Sequence, residues 1–107
     1  MKTKEFDTSI LHYNQSIKLN PIESTTYCNR ALAFIKIKQF EKGMQDCNKA
    51  IEIKSDYSKA FYRRSQCLIG LNRFPEAYKD LIYLLKESPK NGGKTSDFIK
   101  SYYSYNE

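Results

Sequence analysis

Apolar side chains recur along this chain at the three- and four-residue spacing that marks one face of a helix. The clearest stripe is formed by Phe6, Ile10, Tyr13 and Ile17. Comparable stripes follow in four further segments. The spacing therefore predicts five helices, over residues 7–19, 24–37, 41–54, 57–71 and 74–87. The connections are short, so successive helices are expected to run antiparallel.

The helical pattern repeats at a constant interval along the chain, the interval from Phe6 to Phe40 and again from Phe40 to Phe74. We call this interval the repeat step. The positions that keep this step are Phe6, Phe40 and Phe74; Ser9, Gly43 and Ala77; Tyr27 and Phe61; Arg30 and Arg64; and Asp46 and Asp80. An ordinary helical bundle would not hold one register over so many columns. Repetition at this period is typical of stacked helical hairpins. We therefore predict an all-α fold, an α-solenoid of antiparallel helical hairpins, with the small residues of the second set where the two helices of a hairpin cross.

Charge and composition narrow the partners and the compartment. The 107 residues carry a net charge of +6, which calls for an acidic partner or a solvated basic surface. No apolar run approaches the roughly 18 residues that a membrane span needs, and the first residues do not read as a secretory signal. Cys28, Cys47 and Cys67 are odd in number and far apart, which favours free buried thiols in a reducing compartment. The sequence thus predicts a cytoplasmic protein.

Residue types that support catalysis or cofactor binding do not assemble into a pattern. His12 is the only histidine, and no carboxylate or cysteine lies around it with the spacing of metal ligands. The segment Gly92-Gly93-Lys94-Thr95 ends like a phosphate-binding loop, but no strand precedes it. We therefore expect no enzymatic activity, no cofactor and no metal.

Two segments carry a more specific resemblance, namely Asn29-Arg30-Ala31 in one hairpin and Lys59 to Arg64 in the next. The repeating pattern resembles the tetratricopeptide repeat family. The two segments are similar to its carboxylate-clamp co-chaperones, above all the RNA-polymerase-associated and sperm-antigen type, and to the tetratricopeptide domain of a serine/threonine phosphatase. The resemblance implies one domain over residues 1–107, with half a repeat in 1–21, whole repeats in 24–55 and 58–89, and a helix in 95–105 that caps the stack or docks on a neighbouring molecule.

The same resemblance implies a basic concave groove. Asn29 and Arg63 are one repeat step apart and should occupy the same slot in adjacent hairpins, while Lys59 lies one turn before Arg63 on the same helix face. The predicted groove residues are the polar Asn29, Lys36, Lys59 and Arg63 and the apolar Leu32 and Ile35. The implied partner is the acidic C-terminal peptide, ending Glu-Glu-Val-Asp, of the cytosolic 70- or 90-kDa heat-shock chaperones.

Other uses of the stack stay open at this point. The family's groove normally includes a further helix with a Lys and an Asn of the clamp, and this sequence has no residues that match them. One apolar face of the first helix is then expected to be uncovered, which favours a scaffold that takes an apolar helix or pairs as a homodimer. Nucleic-acid binding is not expected, because most Tyr residues are needed for hairpin packing. Arg30 and Arg64 are expected to form structural ion pairs with Asp46 and Asp80.

Overall fold

A computed structural model describes residues 2–87, and within that range the chain is helical and contains no strand. The five helices are α1 (Lys2–Leu19), α2 (Ser24–Lys36), α3 (Phe40–Ile53), α4 (Ser58–Gly70) and α5 (Phe74–Glu87). The predicted all-α hairpin solenoid is confirmed. None of these five helices combines the length and apolar character that crossing a membrane requires. The predicted helix in 95–105 lies outside the described residues, and the division into repeats stays a prediction.

The helix ends agree with the prediction to within one residue, except at the start of α1. That helix begins at Lys2 rather than Asp7. Phe6, the first residue of the apolar stripe, lies in the added turn, but residues 2–5 before it are polar and the spacing argument did not reach them. They are Lys, Thr, Lys and Glu, which do not interrupt a helix, and the helix therefore includes them.

Each hairpin turns at a residue in the left-handed region. Lys38 has a φ of 62° and Asn72 a φ of 61°. The backbone N–H of Lys38 donates to the Ile35 carbonyl at 3.0 Å, and the N–H of Gln39 donates to the Phe34 carbonyl at 2.8 Å. The turn at Asn72 repeats both bonds one repeat step later. This pair of bonds is the Schellman motif, which ends α2 and α4 and returns the chain antiparallel.

The core lies between α2, α3, α4 and α5, and much of it consists of small side chains. Three buried clusters hold it together, and they consist of Tyr27, Cys28, Ala50 and Ala60; of Ala31, Cys47 and Cys67; and of Phe61, Leu81 and Leu84. All three cysteines are buried and free, as expected. The predicted small-residue column contributes Gly43 and Ala77, both buried. Small residues at these positions let the helices approach closely.

In each hairpin an arginine joins the two helices and also contacts the preceding helix, an arrangement that we call the arginine clamp. Arg30 of α2 donates to both carboxylate oxygens of Asp46 in α3, at 2.7 and 2.8 Å, and to the Asn14 side-chain oxygen in α1 at 2.7 Å. The guanidinium also lies 5.8 Å from the centroid of the Tyr27 ring. One side chain therefore ties three helices together.

The second hairpin, α4 and α5, has the same arginine clamp one repeat step along the chain. Arg64 of α4 donates to both carboxylate oxygens of Asp80 in α5, at 2.6 and 2.8 Å, and to the Asn48 side-chain oxygen in α3 at 2.9 Å. Its guanidinium lies 5.1 Å from the centroid of the Phe61 ring. The structural ion pairs predicted from the repeated columns are present in both hairpins.

Candidate peptide-binding face

The predicted site residues lie on α2 and α4, the first helices of the two hairpins, which pack directly against each other. Both helices have 13 residues, and they begin at equivalent positions of the repeat, Ser24 and Ser58. Asn29 and Arg63 are therefore each the sixth residue of their helix. We call the surface formed by Asn29, Leu32, Lys36, Lys59, Arg63 and Gln66 the α2–α4 face.

Arg63 is half-buried on α4. Its Nε atom is buried and has no hydrogen-bond partner in the described part of the chain. Tyr57 lies nearby at the start of α4: burial raises the pKa of its hydroxyl, while the Thr25 side chain and the positive charge of Arg63 oppose the rise. The Arg63 side chain is thus partly withdrawn from water and keeps an unused donor.

The neighbouring arginine, Arg64, is paired within the fold. Arg64 is occupied by Asp80 and Asn48, and the hydrogen bond with Asp80 raises the pKa of Arg64 above its usual range. Among residues 4–86, Arg63 forms no ion pair. Of these two adjacent arginines on α4, Arg64 is paired within the fold, whereas Arg63 remains available to a ligand.

The remaining polar positions are also available. Lys36 and Lys59 are exposed, and neither forms an ion pair with a residue that the structure describes. Lys59 lies one helical turn before Arg63, so the two positive charges share a face. Asn29 is half-buried at the equivalent position of α2. The arrangement offers three cations, Lys36, Lys59 and Arg63, and a carboxamide to a ligand that supplies oxygen acceptors.

The two predicted apolar residues have different surroundings. Ile35 is half-buried and packs against the cluster of Ala31, Cys47 and Cys67, so much of its surface serves the core. Leu32 is half-buried and belongs to none of the three described clusters. Leu32 is the better placed of the two to contact a ligand, and the role of both residues stays a prediction.

Sequence reasoning missed two sets of polar residues. Asn14 and Asn48 complete the arginine clamps. Because they are separated by one repeat step, the repeated columns of the sequence could have indicated them. Gln66 was also missed. Its Oε1 atom is buried without a hydrogen-bond partner among the described residues. It lies one repeat step after Leu32 and one helical turn after Arg63, and this position places it in the α2–α4 face.

Known proteins share both the sequence pattern and the fold. The tetratricopeptide repeat profile matches residues 24–57. The rat serine/threonine-protein phosphatase 5 is 32% identical over 90 residues, which are 84% of this chain and 18% of the phosphatase. The chain spans 18% or less of the curated relatives considered.

Two solved structures match over most of their length. The Arabidopsis OM64 TPR domain has a TM-score of 0.81 and 34% identity, covering 99% of this chain and 86% of that one. The second TPR of Spaghetti (RPAP3), bound to the HSP90 peptide SRMEEVD, has a TM-score of 0.70 and 33% identity, covering 74% of this chain and 73% of that one. On these matches and on the two hairpins described above, the chain belongs to the tetratricopeptide repeat family.

Proposed function

We propose that this chain binds the acidic C-terminal tail, ending Glu-Glu-Val-Asp, of 70- or 90-kDa heat-shock chaperones. The observation that carries the proposal is the contrast on α4 between Arg64, which is fully paired, and Arg63, whose buried Nε has no partner among the described residues. Lys59, one helical turn before Arg63, forms no ion pair with any described residue, and Asn29 occupies the position of α2 that is equivalent to Arg63. The Spaghetti domain bound to an HSP90 peptide supports the same partner.

The ligand chemistry follows from the charges. A free C-terminal carboxylate and the adjacent acidic side chain offer only oxygen acceptors, which match an ammonium, a guanidinium and an amide N–H. Each charge-assisted hydrogen bond contributes about 1.5–3 kcal/mol. Two or three such bonds, less the cost of association, support a Kd around the micromolar level. The proposed role is binding in the cytoplasm, with no chemical step.

Calorimetric titration with the peptide SRMEEVD tests the proposal. We expect the free acid to bind, C-terminal amidation to remove most of the affinity, and Lys59→Ala or Arg63→Ala to do the same. Lys79→Ala is the matched control, because Lys79 is an exposed lysine on α5 and its loss changes the net charge by the same amount. Equal binding by the free and amidated peptides would contradict the proposal.

A scaffold that pairs with a second copy is the alternative, and exposed apolar side chains favour it. Leu11 and Leu19 of α1 and Ile22 after it are 68%, 79% and 75% exposed. Light scattering over a range of concentrations separates the two functions. A dimer that forms without any response to the peptide supports the scaffold, whereas a peptide-binding monomer supports the chaperone-tail adaptor.

A further inference from the structure

Two buried side-chain atoms lack a hydrogen-bond partner among the residues that the structure describes, and both lie on α4. They are Arg63 Nε, a donor, and Gln66 Oε1, an acceptor. Residues three apart on a helix share a face, so the two atoms belong to one surface. Buried polar groups are nearly always paired in folded proteins, and an exception needs an explanation. A bound ligand toward which both half-buried side chains turn provides one.

The ligand must donate a hydrogen bond to Gln66 Oε1, and this requirement excludes ligand groups that are acceptors only. The ionised carboxylates of an acidic peptide are acceptors only. The hydrogen-bond donors of a Glu-Glu-Val-Asp tail are therefore its backbone N–H groups. A side-chain oxygen beside the basic positions of α4 thus matches the main chain of such a peptide rather than its side chains.

The order of residues along α4 indicates which part of the peptide lies near Gln66. Lys59, Arg63 and Gln66 follow one another along the same face of the helix, at spacings of four and three residues. With the terminal carboxylate at Lys59 and Asn29, the preceding residues of the peptide continue past Arg63 toward Gln66. In an extended chain the N–H and C=O of one residue point to the same side. A donor and an acceptor one turn apart can therefore meet one peptide residue.

We propose that the Gln66 carboxamide oxygen accepts a hydrogen bond from a backbone N–H of the bound acidic peptide, upstream of its terminal carboxylate, and so fixes the register of the peptide on the α2–α4 face. This inference rests on the proposed function. It adds a positioning contact that is independent of the peptide's side chains. The equivalent position of α2 is Leu32, which cannot make this bond, so the contact is specific to α4.

The experiment combines substitutions in the protein with single amide-to-ester replacements along the free-acid peptide SRMEEVD. Gln66→Met keeps the length of the side chain and removes the acceptor, and Gln66→Leu is a second variant. Gln45→Met, on the exposed surface of α3, is the matched control. We expect Gln66→Met to weaken binding by about 3- to 10-fold and Gln45→Met to leave it unchanged. One ester peptide should lose a similar factor with the wild type and nothing further with Gln66→Met, because both changes remove the same bond.

Thermal unfolding without peptide separates a positioning role from a structural one. Removing an unpaired buried oxygen should raise the Tm of Gln66→Met, while affinity falls. A lower Tm, or a loss of affinity that adds to that of every ester peptide, overturns the inference. Unchanged affinity of Gln66→Met for a peptide that still responds to amidation overturns it and leaves the proposed function intact. Failure of the wild type to bind the free acid overturns the proposed function itself.

Discussion

Gly43 marks a close approach between helices and allows a sharp test of the packing. A Cβ at this position would lie 2.9 Å from Cys67 Sγ, 3.4 Å from the Ala31 carbonyl oxygen and 3.5 Å from Ile35 Cγ1. The contact with sulfur is closer than van der Waals packing allows. Ala31 and Cys67 are both fully buried, so neither has free space to move into.

Two effects of opposite sign decide what Gly43→Ala does. Alanine is favoured over glycine inside a helix by about 1 kcal/mol. Overpacking a core costs about 1–3 kcal/mol. We expect the clash to win, so that the free energy of unfolding falls by about 1 kcal/mol. With Cys67→Ala the sulfur is absent and the remaining contacts are ordinary, so the same substitution should then raise the free energy of unfolding by about 1 kcal/mol.

Urea denaturation of the four proteins, followed by far-UV circular dichroism, gives the interaction energy of this cycle. We expect about 2 kcal/mol between the two substitutions. Cys28→Ala is the control background, because it removes a fully buried sulfur that is not among the nearest neighbours of a Cβ at Gly43. Stabilisation by Gly43→Ala in the wild type, or destabilisation of equal size in the Cys67→Ala background, would refute the reasoning.

The remaining predictions concern the turns and the two adjacent arginines of α4. Lys38 adopts a positive φ that costs a residue with a Cβ about 1 kcal/mol, so Lys38→Gly should raise the free energy of unfolding by about that amount. Asn72→Gly should raise it by less, since Asn tolerates this region better, and thermal melts of the two variants compare the effects. Arg64→Ala leaves the buried Asp80 carboxylate without its cation and should cost about 3–5 kcal/mol in urea denaturation. Arg63→Ala should cost far less stability while it removes most of the affinity for the peptide; comparable losses of stability for the two variants would contradict this division.

The helices could be predicted because their apolar stripes and the repeat step reinforce each other. The columns that pack one hairpin on the next recur, as Arg30 and Arg64 do. The turns were harder to predict from the sequence, because a lysine at position 38 does not indicate a positive φ as a glycine would. The start of α1 was missed because residues 2–5 are polar and the apolar spacing does not describe them.

Repetition also explains why the candidate site was only partly predictable. Asn29 and Arg63 share a column but differ in type, and so do Leu32 and Gln66. The arginine clamp is the same in both hairpins, so its arginine, aspartate and asparagine recur at the repeat step. A peptide presents a different group to each hairpin, so the residues that meet it must differ. Within this chain the clamp columns keep their residue type, core columns such as Ala50 and Leu84 vary among apolar residues, and the columns on the α2–α4 face change in polarity or charge. Arg64 recurs at the repeat step and is paired with Asp80, whereas Arg63 does neither, and the change from Leu32 to Gln66 agrees with the proposed contact between Gln66 and the peptide.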